Sequence, residues 1–209
     1  QLALLEENEK FLDKSETALG EYLTKVTVQH LENEQSQLAA ELLHTLGDLE
    51  RVGDRCINIS EVAFYNRDQD IHFSPEARVE LSSMTDAVTE ILERTLRAYR
   101  EENAQAALSI EPLEQTIDIL EETLKRRHID RLQAGLCNVQ GGISFVEVLT
   151  NLERISDHCS NIAMHLTQRL CPDELDEHSR RNQLHLADTL EYQELFEEYQ
   201  KKYLEPIVG

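Results

Sequence analysis

Apolar residues recur every three or four positions along most of the chain, with few glycines or prolines between them, which is the pattern of amphipathic helices rather than strands. Leu4, Phe11, Leu12, Leu19 and Val26 share one stripe and predict a first helix from the N-terminus to about Val28. Leu42, Leu49, Val52, Cys56, Ile59 and Ala63 mark the buried side of a second over about 32–67, after which "NRDQDIHF" breaks the pattern. Ser74 followed by Pro75 and Glu76 reads as an N-cap and opens a third helix over about 75–102. Pro112 marks a start or kink, so a fourth helix begins near 104 or 112 and runs to 134, with Gly135 as its C-cap. Gly141 and Gly142 precede a fifth over about 142–170. "CPDEL" ends that helix, and Asp173 can cap a last one, amphipathic through "LADTLEYQELFEEYQKKYL" and stopped by Pro206. Long helices with short connections pack as antiparallel bundles, so the expected fold class is all-α.

Composition narrows the function. The chain has 209 residues, enough for one large domain or two small ones, and carries 41 acidic against 20 basic side chains for a net charge of −21. Such a charge repels phosphate backbones and anionic headgroups, which disfavours nucleic acid and direct lipid binding and makes cations the natural partners. No apolar run approaches the ~20 residues that cross a bilayer, so a soluble piece is expected. Cys56, Cys137, Cys159 and Cys171 lack CxxC spacing, which fits a reducing cytoplasm. The opening "QLALLEENEKFLDK", helical in pattern without an initiating Met or a cap, reads as a fragment of something longer.

The chain also repeats itself. "DLERVGDRCINI" (48–59) and "NLERISDHCSNI" (151–162) share seven of twelve residues at an offset of 103, and "EKFLDKSETAL" (9–19) lies over "EQTIDILEETL" (114–124) at an offset of 105. Four ExxxD pairs thereby occupy two equivalent sets of positions: Glu9/Asp13 with Glu50/Asp54, and Glu114/Asp118 with Glu153/Asp157. With 41 acids in 209 residues, chance supplies about eight acidic pairs at this spacing, so one pair means little and the recurrence carries the signal. A single pair reads as a solvated face, with Arg51 reaching Asp54 and Arg154 reaching Asp157 as ordinary ion pairs.

The chemical reading of the set is coordination. Residues i and i+4 sit about 40° apart on a helix, close enough for two carboxylates to meet one ion, and two such pairs on adjacent helices would supply four anionic oxygens. Relative to Leu49, Glu50 and Asp54 lie about 100° and 140° around the helix, which predicts a site at the edge of the apolar stripe and near the surface. Asn58 and Asn161 extend each stripe by a turn and are either a further oxygen or surface polar residues. His158 beside Asp157 invites a ligand role, but its repeat mate is Arg55, which favours a structural histidine. Cys56 and Cys159 lie on apolar stripes and read as core residues. Glu41-Leu-Leu-His44 is the only E-xx-H, whereas a ferritin-like di-iron site needs two, which counts against an oxidase.

"NLERISDHCSNIA" and "DLERVGDRCINISEVA", each preceded by an E-x-x-[IL]-D helix, resemble the paired signature of the PhoU family over about 1–170. "RHIDRLQAG" and "YLTK" are more similar to the cytoplasmic C-terminal PhoU-like region of bacterial sodium/phosphate cotransporters. The resemblance implies tandem three-helix bundles carrying multinuclear iron or zinc clusters on Glu9, Asp13, Glu50 and Asp54 in one half and Glu114, Asp118, Glu153 and Asp157 in the other. It implies control of phosphate uptake rather than catalysis. All-carboxylate ligation itself suits iron(III), manganese, magnesium or calcium, since zinc usually takes His or Cys.

The domains expected are a first repeat over 1–67 lacking its first helix, a second over 75–171 with all three, and a C-terminal extension over 173–209 whose helix, about 178–204, covers the exposed apolar side of the first. The function expected is a metal-binding, non-enzymatic regulatory domain on the cytoplasmic side of the bacterial inner membrane. Its partner would be a transmembrane phosphate-transporter domain in the same chain, and a homodimer is compatible. The alternatives are a free-standing PhoU-type regulator and, less favoured, a carboxylate-bridged metalloenzyme.

Overall fold

A computed structural model describes residues 2–171 and 189–208, and every regular element among the described residues is helical. The elements are α1 (Leu2–Thr27), α2 (Asn33–Asp68), α3 (Pro75–Glu101), the short α4 (Ala104–Leu108), α5 (Glu111–Gln133), α6 (Val139–Leu170) and α7 (Leu190–Tyr199). A π-helical turn, Gln200–Leu204, joins α7 to a last turn, α8 (Glu205–Val208). The fold is the tandem arrangement expected: α1 and α2 form an incomplete first repeat, and α3, α5 and α6 form a three-helix second repeat.

Local chemistry sets the ends. The Ser74 hydroxyl accepts the Ala77 N–H at 3.2 Å to start α3. Asn138, not the glycine pair, caps α6: its side chain accepts the Gly141 N–H at 2.6 Å, so α6 begins at Val139. Gly135, at φ +69°, takes the left-handed position just past α5. Pro206 does not stop the last helix as expected, because the wider π turn precedes it and accommodates a residue without an N–H. Asp173 and residues 178–188 of the expected C-terminal helix lie outside the described residues.

The core belongs to the second repeat. Met84, Ile91, Leu113, Ile117, Leu120, Leu124, Phe145, Leu149 and Leu166 are each no more than 1% exposed, and burying a side chain of this size contributes about 1.5–3 kcal/mol. Glu80, also buried, is held by Arg127 Nε at 2.8 Å and by both terminal nitrogens of Arg131, fastening the start of α3 to the end of α5. α2 runs antiparallel along α6 and joins the repeats through Ser144–Asn66 at 2.7 Å, Asn58–Asn151 at 3.4 Å and His158–Asp48 at 3.0 Å.

The C-terminal helix corrects an expectation. Instead of covering the first repeat it packs on α3 and α5, because Tyr192, Tyr199, Tyr203 and Ile207 are buried there on one side of it. The Tyr192 hydroxyl donates to Gln115 at 2.6 Å, and Lys202 pairs with Glu90 at 2.6 Å. Among the described residues the outer face of α1 stays uncovered: Leu4, Phe11, Leu19 and Tyr22 are all exposed.

Gly142 on α6 is required by a neighbour, since a Cβ there would stand 2.4 Å from Nε2 of the buried His128. Gly142→Ala is therefore expected to destabilise by about 1–3 kcal/mol. Gly20→Ala, in a helix interior with nothing within 4 Å, is expected to stabilise by about 0.5–1 kcal/mol. Urea unfolding of both variants checks the pair; equal midpoints would contradict it.

Candidate metal centre

The first cluster is assembled where α1 closes onto α2. Leu12 leans on Gly53, where an added Cβ would lie 2.8 Å from Leu12 Cδ1, so the glycine permits the close approach. Glu9 and Asp13 flank Leu12 in sequence and Asp54 follows Gly53, and one oxygen from each of the three carboxylates lies within 4.8 Å of the others. The second cluster repeats this across α5 and α6, where oxygens of Glu114, Asp118 and Asp157 lie within 4.8 Å of one another. Six of the eight expected side chains thus converge in two triads. Glu50 and Glu153 stand beside them, outside the triads but within electrostatic reach of Asp54 and Asp13, and of Asp157 and Asp118.

Such crowding shows in the protonation chemistry. Burial first, then Glu111, Asp118, Asp157 and Glu153, push Glu114 up to about 8. Burial and Asp157 push Glu153 up to about 7, and burial, Asp157, Glu121 and Glu111 push Asp118 up to about 6, with Arg154 opposing in both cases. Glu9 and Glu50 are also raised, burial leading and Asp13 and Asp54 following. Arg154 partly offsets the repulsion, reaching Asp157 at 3.1 Å as expected and Glu153 at 3.6 Å. Arg51 does not reach Asp54 but turns to Asp48 at 3.9 Å, one turn back on the same helix.

The donor set fits a hard cation. Oxygens bound to one ion at about 2.0–2.6 Å can be no more than about 4–5 Å apart, a limit the triads meet before any side chain moves. An all-oxygen, anionic set matches iron(III), manganese, magnesium or calcium better than zinc.

Other candidates resolve as structure. His158 turns inward to Asp48 at 3.0 Å, not to the cluster. Glu41 pairs with Arg169, while His44 stacks on His165 with ring centroids 4.5 Å apart, so the lone E-xx-H does not aim both groups at one ion. Asn58 engages Asn151. Cys159 is fully buried, its thiol pushed up to about 12 by burial, as suits a core residue. Sequence reasoning missed Glu16, Glu111 and Glu121, which border the clusters. The offset of 105 that pairs Glu9 with Glu114 also pairs Glu16 with Glu121 and Glu6 with Glu111, a signal already present in the chain.

Known proteins resemble this chain in part of its sequence and in its fold. The PhoU domain family model matches residues 81–166. The chain is 26% identical over 121 residues to phosphate-specific transport system accessory protein PhoU homolog 1 of Thermotoga maritima, covering 58% of this chain and 51% of that protein. It is 30% identical over 116 residues to the PhoU homolog of the same system from Pseudomonas putida, covering 56% and 44%. The chain therefore spans about half the length of the curated relatives it matches. Its fold is similar to that of the crystal structure of PhoU from Pseudomonas aeruginosa, with a TM-score of 0.75, 21% identity and 80% of each chain covered. Relatives named as accessory proteins overturn the expectation of a transmembrane phosphate-transporter domain as a same-chain partner. Among the described residues no helix is long and apolar enough to cross a membrane.

A carboxyl whose folded value is raised binds its proton more tightly folded than unfolded, so each deprotonation removes stability. Between about pH 4.5 and 8 chelator-treated protein is thus expected to lose stability as pH rises, through Glu153 up to about 7 and Glu114 up to about 8. Melting temperature against pH measures this: Glu114→Gln should flatten the decline, and an identical slope in that variant would contradict the assignment.

Proposed function

We propose that this chain is a PhoU-type accessory regulator of phosphate transport whose two carboxylate clusters hold hard metal ions. The observation that carries the reading is the recurrence of one triad at equivalent positions of both repeats, Glu9/Asp13/Asp54 and Glu114/Asp118/Asp157. Chance clustering of acids on a strongly acidic surface has no reason to respect the phase of an internal repeat. The similarity to accessory proteins of a phosphate-specific transport system supplies the physiological context. It favours a cytoplasmic protein acting as a separate regulator over a domain built into a sodium/phosphate cotransporter.

In this reading Glu50 and Glu153 complete the ligand sets beside the triads. An ion cancels the mutual repulsion of the carboxylates and fixes α1 to α2 and α5 to α6, so its effect is on helix position and on the surface presented to a partner. Iron(III) heads the candidates by donor chemistry, with manganese, magnesium and calcium following, and zinc is favoured only by resemblance. No catalytic role is assigned.

Elemental analysis of the purified protein tests this. Asp13→Asn with Asp54→Asn, and Asp118→Asn with Asp157→Asn, are each expected to remove the metal of one half, and all four together nearly all of it. Metal content unchanged by the fourfold substitution would contradict the reading. So would robust oxidase or phosphatase turnover lost in Asp54→Ala.

A further inference from the structure

None of the four cysteines belongs to the carboxylate clusters, and Cys137 stands apart from the other three. Cys56 and Cys159 lie against the core, where burial pushes both thiols up, Cys159 to about 12. Cys171 ends α6. Cys137 is half-buried in the turn between α5 and α6 and lines a cavity of about 470 Å³ together with His72, Phe73, His128, Arg131 and Phe145. The local sequence puts it there: Gly135 reverses the chain in the left-handed conformation, the Leu136 N–H returns to the Arg131 carbonyl at 2.9 Å, and Asn138 then starts α6. Cys137 is thereby laid back over the last turns of α5, with Sγ 3.9 Å from Nδ1 of His128. His128 is only 6% exposed and has no other hydrogen-bond partner among the described residues. Its ring is wedged between Phe145, with centroids 5.2 Å apart, and Gly142, which fixes the imidazole toward the sulfur. Burial first, then Arg131, lower its protonation from the usual histidine value, with Glu80 opposing, so at neutral pH the imidazole is an uncharged base facing a thiol.

We propose that Cys137 is a thiolation site, at which His128 takes the thiol proton and the sulfur forms a mixed disulfide with one half of a small, carboxylate-bearing disulfide held in the cavity. Sγ attacks one sulfur of that molecule, a protein–ligand S–S bond forms as the ligand's own S–S bond breaks, and the departing thiolate receives the proton from His128. The protein thiol is oxidised, the leaving half is reduced, and no other oxidant is consumed. Taking the proton on Nδ1 requires the imidazole hydrogen on Nε2, the nitrogen that faces Gly142. The cavity falls in the size range of small-molecule sites. Its charge selects the ligand. Asn138 and Gly141 bring the N-terminal end of α6 to the cavity wall, and Arg131 outweighs Glu80 at His128, so this rim attracts carboxylates in a chain whose net charge is −21. Transient bonds of this kind are the disulfides that a reducing compartment allows. The site lies about 15 Å along α5 from Asp118, so it neither uses nor depends on the metal centres.

Mass spectrometry of the full 209-residue chain treated with oxidised glutathione near neutral pH tests this. Peptide mapping is expected to place the first adduct on Cys137, about tenfold or more ahead of Cys56, Cys159 and Cys171. Cys137 should also react at least about tenfold faster in the folded chain than in the urea-unfolded chain, a comparison that needs no substitution. His128→Gln, with circular dichroism confirming that it keeps its helices, should slow Cys137 about tenfold or more. The folded-to-unfolded rate ratio should be larger for oxidised glutathione than for cystamine, a small disulfide that carries ammonium groups instead of carboxylates. A first adduct on another cysteine, or a Cys137 that reacts no faster folded than unfolded, would overturn the proposal. So would a folded His128→Gln that reacts at the unsubstituted rate, or a larger ratio for cystamine.

Discussion

Mutual repulsion among carboxylates organises this molecule. Each cluster holds three acids within a few ångströms and has more close by, in a chain whose net charge already opposes compaction. Isolated helices would relieve that repulsion by turning the acids to water. Here packing prevents it: Leu12 against Gly53 in one half, and the core formed by Ile117, Leu120, Ile155 and Cys159 in the other, fix the helices in the phase that sets the acids together. Hydrophobic burial therefore supplies the free energy that the clusters lose. The raised protonation of Glu114, Glu153 and Asp118 is the electrostatic record of this opposition.

The two clusters are linked through the α2–α6 seam, which follows the same internal repeat. Asp48 and Asn151 are equivalent positions, as are Arg55 and His158, and the chain has diverged at both while keeping the antiparallel packing. Asp48 meets His158, and Asn151 meets Asn58 one turn from Arg55. Polar partners buried in this seam fix its register, because sliding α2 along α6 would leave Asp48 and His158 without each other. Any ion bound on α2 thus acts on a helix that is locked to the second repeat, whereas α1 has no comparable anchor.

Much of this was legible in the sequence because helices impose a period. The apolar stripes located the long helices to within a few residues, and the repeat offsets grouped eight acids into two sets of four, of which the structure brings six together as two triads. Part of what escaped depended on contacts between distant segments. Nothing local to the C-terminal helix says that Tyr192, Tyr199 and Tyr203 will settle on α3 and α5 instead of on α1; Gln115 and Glu90, which accept the Tyr192 and Tyr203 hydroxyls, lie 77 and 113 residues away. The start of α6 was misplaced because glycines at 141 and 142 look like a break, while Asn138 offered a better cap. Glu121 was visible through the offset but was passed over, since it lies outside the ExxxD spacing. His158 turned to Asp48, a partner that only the packed seam supplies, while Arg51 took Asp48 one turn back on its own helix instead of Asp54.

The central claim is that the two triads are one kind of ion site built twice. Anomalous diffraction from crystals grown with manganese(II) or iron(III) tests it most directly. The account predicts density at both places, one bounded by Glu9, Asp13 and Asp54 and the other by Glu114, Asp118 and Asp157, with similar oxygen coordination. Well-ordered triads without anomalous density, or ions bound elsewhere on the acidic surface, would contradict it.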